Sequence, residues 1–324
     1  MKLEGPRVSI PLIDLEKLMH TNDSTRLEEV RALDKACREI GFFYLVNTGI
    51  SSDLFNKLMA TAKTYFAQPE DVKRAIDIKQ SPNHRGYGCI GEEQLDEVSH
   101  ADWKETFDMA LDLPIDHPLV AKYPKMYGPN QNPTDPAAVE VLQDYYVAAF
   151  DVAKVVLTSM AQALSLEDDF FTRCFTDHVT VLRMIHYPPR PQNDHDNGAG
   201  AHTDYGCVTL LLQDQIGGLQ VKNRQGEWVD ATPIENALVV NIGDLMQRWT
   251  NDEYVSTAHR VVSPVEGVHR YSFPFFVEPD YETNVVCVES CQSDNKPAKY
   301  EPILSGDWIQ SRFDATYAYR EKEA

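Results

Sequence analysis

The chain has 324 residues, 43% hydrophobic and 25% charged, and 30 Lys+Arg against 50 Asp+Glu give a formal net charge of −20. These proportions build a sizeable folded core and exclude a disordered, collagen-like or disulfide-scaffold chain. So acidic a surface repels phosphate backbones, and nucleic acid is not an expected partner.

No apolar run approaches the roughly 18 residues of a membrane span, so no membrane association is expected. The opening MKLEGPRVSIPLIDLE carries charge and proline where an export signal needs an apolar stretch. Cys37, Cys89, Cys174, Cys207, Cys287 and Cys291 are scattered without a CxxC pair. Together these features predict reduced thiols in a cytoplasmic protein, a Cys287–Cys291 bridge being the alternative.

In chain order, Leu27, Val30, Leu33, Cys37 and Ile40 recur at helical spacing, with Gly41 placed as a C-terminal cap. FFYLV (residues 42–46) reads as a buried strand. Ser52 or Asp53 is the expected cap of a helix whose apolar face is Leu54, Leu58, Ala62, Tyr65 and Phe66. Residues 110–135 read as a long surface connection. Asp135-Pro136 then opens a long helix with a stripe from Leu142 to Leu164, a spine of roughly 40 Å against which a sheet can pack.

Beyond about residue 178 come short β-rich runs: VTVLRMIHY, CVTLLLQ, LQVKN, EWVDA, ALVVNI, AHRVV and RYSFPFF. Gly217-Gly218, Asn223–Gly226 and Gly243-Asp244 supply turns. The expected class is α+β, mainly β: a double-sheet jelly roll flanked by N-terminal helices and the spine helix.

Two H-x-D triplets occur, His100-Ala101-Asp102 and His202-Thr203-Asp204. The second ends a Gly-rich loop and runs into a β segment, where residues two apart share a face. His259, 55 positions after Asp204, opens another β run. Two histidines and a carboxylate on one barrel face form the facial triad of non-haem Fe(II) oxygenases; ordinary buried polar residues have the same spacing. Arg270 and Ser272 share a face of a later strand, a receptor for a carboxylate, with Tyr187 in IHYPP a third contact; the other reading is an internal ion pair.

IPLIDL, GFFYLVNTGI, RGYGCIGEE, DWKETFD, HTDYGCVTLLLQD, GGLQV, STAHRVV and RYSFPFF, in this order, resemble the isopenicillin N synthase-like family of Fe(II)/2-oxoglutarate-dependent dioxygenases. The resemblance implies a double-stranded β-helix core over residues 178–282, an N-terminal region over 1–115 and a C-terminal helical extension over 283–324, integrated in one unit. It implies His202, Asp204 and His259 as catalytic iron ligands, and Arg270, Ser272 and Tyr187 as 2-oxoglutarate contacts. The implied reaction oxidises a small molecule with O2 by hydroxylation, desaturation or ring chemistry, releasing succinate and CO2. Two other readings are an oxidase that uses Fe(II) and O2 without 2-oxoglutarate, and a metal-binding barrel without turnover. Arg85 and Tyr87 match a stretch that contacts substrate in the family; Tyr205, Arg183 and Phe275 are further candidates. The loop 191–200 is a candidate lid. The oligomeric state is open, a monomer being compatible with this reading.

Overall fold

The computed structural model describes residues 10–92, 102–189, 197–264 and 267–316. β1 (Leu12–Asp14) is followed by α1 (Leu15–Leu18) and α2 (Asp23–Glu39). Gly41 follows α2 at φ +70°, the left-handed conformation that ends a helix. β2 (Phe42–Val46) is the expected buried strand. α3 (Ser52–Phe66) is capped by Ser51, whose Oγ accepts from the Leu54 N–H at 3.1 Å, one residue before the expected cap. α4 (Glu70–Arg74), β3 (Gly86–Gly88) and β4 (Glu105–Ala110) follow.

The 110–135 segment is no mere surface connection. It carries α5 (Pro118–Lys122), and Val120, Met126 and Tyr127 are buried against Tyr281 and Ile309. Its polar residues satisfy backbone as well, Asn130 Nδ2 donating to Ala110 O at 2.8 Å. α6 (Pro136–Ala163) begins as expected, Asp135 accepting from Ala137 N–H and proline standing in the first turn. Its 28 residues span about 42 Å.

β5 (Val181–Tyr187), β6 (Asn197–His202), β7 (Val208–Gln213), β8 (Leu219–Lys222), β9 (Trp228–Asp230) and β10 (Leu238–Ile242) lead to α7 (Asp244–Trp249). β11 (His259–Val262) and β12 (Arg270–Val277) complete the sheets, and a hairpin of β13 (Asn284–Val285) and β14 (Ile303–Leu304) precedes α8 (Ser305–Thr316). One sheet has the order β1-β2-β10-β7-β12-β5-β4-β3, the other β6-β11-β8-β9. Apart from the parallel β1–β2 pair, the ladders are antiparallel.

The pleat of the large sheet divides its side chains. Phe43, Leu45, Leu182, Met184, Leu210, Phe273 and Phe275 form one core with the α6 stripe, including Tyr145, Ala149, Ala153 and Val156. Phe42, Tyr44, Ile185, Tyr187 and Val239 face the smaller sheet's Ala199, Leu219, Val221 and Val261. A cavity opens within this second layer, lined by Phe42, Ile185, Tyr187, Ala199, Leu219 and Val261 among others.

Part of the candidate lid, Asn197–Gly200, is strand, because it pairs with β11; residues 190–196 lie outside the described residues. All six cysteines are free, so Cys287 and Cys291 form no bridge. Among the described residues, no helix is long and apolar enough to cross a membrane.

Candidate active site

β6 and β11 pair so that His202 lies opposite His259. Asp204 follows β6 and reaches the same point, its Oδ1 standing 3.7 Å from His202 Nε2 and 3.6 Å from His259 Nε2. His202 Nδ1 faces Gly200 O at 2.7 Å and His259 Nδ1 faces Thr257 O at 3.2 Å. A carbonyl only accepts, so each Nδ1 carries a proton and each Nε2 is the ring atom directed at Asp204. Asp204 Oδ2 accepts from Thr209 Oγ1 at 2.6 Å and from Asn241 Nδ2 at 2.7 Å, which orients Oδ1 toward the histidines.

The electrostatics agree with that proton arrangement. Burial pushes His202 down to about 4, so its ring is neutral at physiological pH. Burial also opposes the charge on Asp204, but His259, His202 and the two hydrogen bonds outweigh it and hold the carboxyl below its ordinary value. Two imidazoles and one ionised carboxylate, each anchored from behind, are a fitting donor set for a divalent iron ion with positions left open.

On β12 of the facing sheet, Arg270 is 1% exposed. Its Nε donates to Gly217 O at 2.6 Å, Nη1 to Ser272 Oγ at 3.3 Å and Nη2 to Gln213 Oε1 at 3.2 Å. Its Cζ lies 4.8 Å from the centre of the Tyr187 ring. All these partners are neutral, and among the described residues no carboxylate pairs with it, so the internal ion pair is absent. A cation held this way has the chemistry to accept a carboxylate. Gly218, next to the carbonyl that holds Arg270 Nε, lets the chain pass close to β11: at φ +94°, a Cβ there would lie 2.8 Å from Val262 O.

His202, Asp204, His259, Arg270, Ser272 and Tyr187 all line one cavity. Arg183 and Tyr205 line it as well. Arg183 is gripped by Asp108 through Nε and Nη2 at 2.7 and 2.6 Å. Trp308 Nε1 donates to Tyr205 O at 2.9 Å, and the Tyr205 hydroxyl bonds Thr316 Oγ1, so α8 forms one wall.

Three expected substrate contacts do not line this cavity. Arg85 is buried, with Nη1 donating to Asn83 O and His84 O and Nη2 to Met126 O. Tyr87 is a structural residue whose hydroxyl donates to Glu105 Oε2 at 2.6 Å, in a buried network with Lys73 and His186. Phe275 points into the helical core against Tyr146, because the pleat that turns Arg270 and Ser272 inward also turns Pro274 and Phe276 inward.

Other participants escaped the sequence reading. Gln213 stands opposite Ser272, and Asn241 opposite Thr209, polar interruptions in apolar runs whose pairing shows only in the register. Asp102, from the other H-x-D triplet, pairs with Lys104 at 2.9 Å and accepts from Gly200 N–H at 2.9 Å, bracing β6; His100 lies outside the described residues. Phe313 of α8 stacks on His84, ring centres 5.1 Å apart, and no local signal marks it. Glu278, just past β12, lines the cavity with burial pushing its carboxyl up to about 8.

The comparisons agree with this geometry. Residues 10–135 match the N-terminal model of non-haem dioxygenases described from morphine synthesis, and residues 176–279 match the 2OG-Fe(II) oxygenase superfamily. The chain is 35% identical to the 2-oxoglutarate-Fe(II) type oxidoreductase hxnY of Emericella nidulans, covering 96% of this chain and 91% of that one. It is likewise 35% identical to homoarginine-6-hydroxylase 2-ODD-233 of Oryza sativa subsp. japonica, covering 93% and 95%. A full-length Neurospora crassa protein, solved in complex with alpha-KG and thymine, superposes with a TM-score of 0.83 at 30% identity, covering 98% and 99%. The fold and site are those of a non-haem iron dioxygenase with a jelly-roll core. The chain belongs to the 2OG-Fe(II) oxygenase superfamily and is an Fe(II)- and 2-oxoglutarate-dependent oxidoreductase; the oxidase without 2-oxoglutarate is not favoured.

Proposed function

We propose that the chain hydroxylates a small polar molecule, holding Fe(II) on His202, Asp204 and His259 and the distal carboxylate of 2-oxoglutarate on Arg270, Ser272 and Tyr187. One observation carries this assignment: a buried arginine with only neutral partners shares a cavity with two histidines and a carboxylate directed at one point. Ser272 Oγ accepts from Arg270, which leaves its own proton for a carboxylate oxygen. Bound iron supplies O2 chemistry that converts the 2-oxo acid to succinate and CO2 while one oxygen atom enters the substrate. The protein holds both reactants and screens the centre from water, with α8 and the aromatic rings of Tyr205, Phe276 and Phe313 around the substrate side.

Hydroxylation is favoured over desaturation or ring chemistry by the relative named as a homoarginine-6-hydroxylase. The Neurospora crassa complex with thymine supports a small molecule as substrate. Free thiols at all six cysteines support a reducing, cytoplasmic setting, and the net charge of −20 argues against nucleic acid as partner.

The test is anaerobic reconstitution with Fe(II) and titration with 2-oxoglutarate, following the visible metal-to-ligand charge-transfer band. A saturable band is expected. Bound iron without a band would overturn the assignment of Arg270.

A further inference from the structure

Alternate residues of β12 and its continuation, Arg270, Ser272, Pro274, Phe276 and Glu278, all line the cavity. The first two belong to the carboxylate receptor. Glu278, at the other end of the row, is 3% exposed, and its Oε2 has no hydrogen-bond partner. Among the described residues, neither carboxyl oxygen receives a donor and no ion pair reaches it.

The neighbouring cations are committed elsewhere. Asp108 grips Arg183 through two bonds, at 2.7 and 2.6 Å, and Asp102 holds Lys104 at 2.9 Å. Arg85, whose field favours the charged form of Glu278, directs Nη1 and Nη2 to backbone carbonyls. A buried acceptor without a donor costs stability, and such groups persist where a ligand completes them. The geometry, read with the proposed function, points to Glu278 as the substrate-recognition residue, accepting a hydrogen bond from an N–H group of the molecule to be oxidised. The substrate class is therefore nitrogenous: an amine or guanidine, or a heterocycle or amide with a free N–H.

Simple probes separate these sources. The Fe(II)- and 2-oxoglutarate-loaded protein is titrated anaerobically by calorimetry with methylguanidinium and with 2-pyridone. Hexamethylguanidinium and N-methyl-2-pyridone, which keep the charge or the ring but have no N–H, serve as controls. At least one N–H probe is expected to bind about tenfold more tightly than its methylated counterpart, the scale of one buried hydrogen bond. Glu278→Met, similar in size and without a strong acceptor, abolishes that preference. Glu278→Gln then assigns the source: loss of methylguanidinium alone indicates a cationic group, and retention of 2-pyridone a neutral N–H.

Equal binding of N–H and methylated probes, no binding of either, or a preference that survives in Glu278→Met would each overturn the inference. The charge-transfer band is recorded on every protein before titration. Its absence from the wild type counts against the proposed function, whereas a normal band with no Glu278-dependent binding counts against this inference alone.

Discussion

His202 and His259 face each other across the β6–β11 ladder, and their Nε2 atoms lie 3.7 and 3.6 Å from the same oxygen of Asp204. A single antiparallel register thus brings together imidazoles 57 positions apart in the chain. The backbone carbonyls behind each ring orient it, and Thr209 and Asn241 orient the carboxylate.

Asp204→Ala is expected to abolish Fe(II) binding and turnover, read by equilibrium dialysis with metal analysis. Asn241→Leu removes one of the two donors to Oδ2 and leaves the ligands intact. Its iron affinity should fall about 10- to 100-fold, the usual scale for a partner behind a metal ligand. An Asn241→Leu protein with wild-type iron affinity would show that Thr209 alone suffices.

Arg270→Lys keeps the charge but gives up the planar fork that Gly217, Ser272 and Gln213 position. The 2-oxoglutarate dissociation constant should rise at least about tenfold while iron stays bound, with Arg270→Ala weaker still. Gln213→Leu should give an intermediate loss. The charge-transfer titration measures all three.

Gly218→Ala places a methyl 2.8 Å from Val262 O in a left-handed backbone conformation. About 1–3 kcal/mol of stability should be lost. Because Gly217 O holds Arg270 Nε, 2-oxoglutarate affinity should fall with it. Thermal unfolding and the same titration test the two effects separately.

Glu278 gives the metal-free protein a pH-dependent weakness. Its ordinary value is 4.5, and burial raises it to about 8 in the fold. Below 4.5 the folded and unfolded chains both keep the proton. Between 4.5 and about 8 the unfolded chain releases it while the fold retains it, so stability declines with rising pH and levels off above 8. Glu278→Gln lacks the proton, so its melting temperature should exceed that of the wild type by a margin that widens across this window. A margin independent of pH would show that Glu278 ionises normally in the fold.

The amino-acid sequence by itself determined the periodic features. Asp135-Pro136 opens α6, the 142–164 stripe is buried, and the H-x-D and R-x-S pairs lie on shared faces, because two-residue and 3.6-residue periods are local properties. The same alternation applied four residues further along β12 selects Phe276 over Phe275. Tertiary structure alone decided the rest. NGAGAH reads as loop in isolation and becomes β6 because β11 supplies its hydrogen bonds. Asn241 reaches Asp204 from 37 positions away, and Phe313 closes on His84 from the far end of the chain. Local patterning sets which side of an element a residue occupies. Which element lies across from it depends on strand register and helix docking, and these are settled by burying the whole core at once.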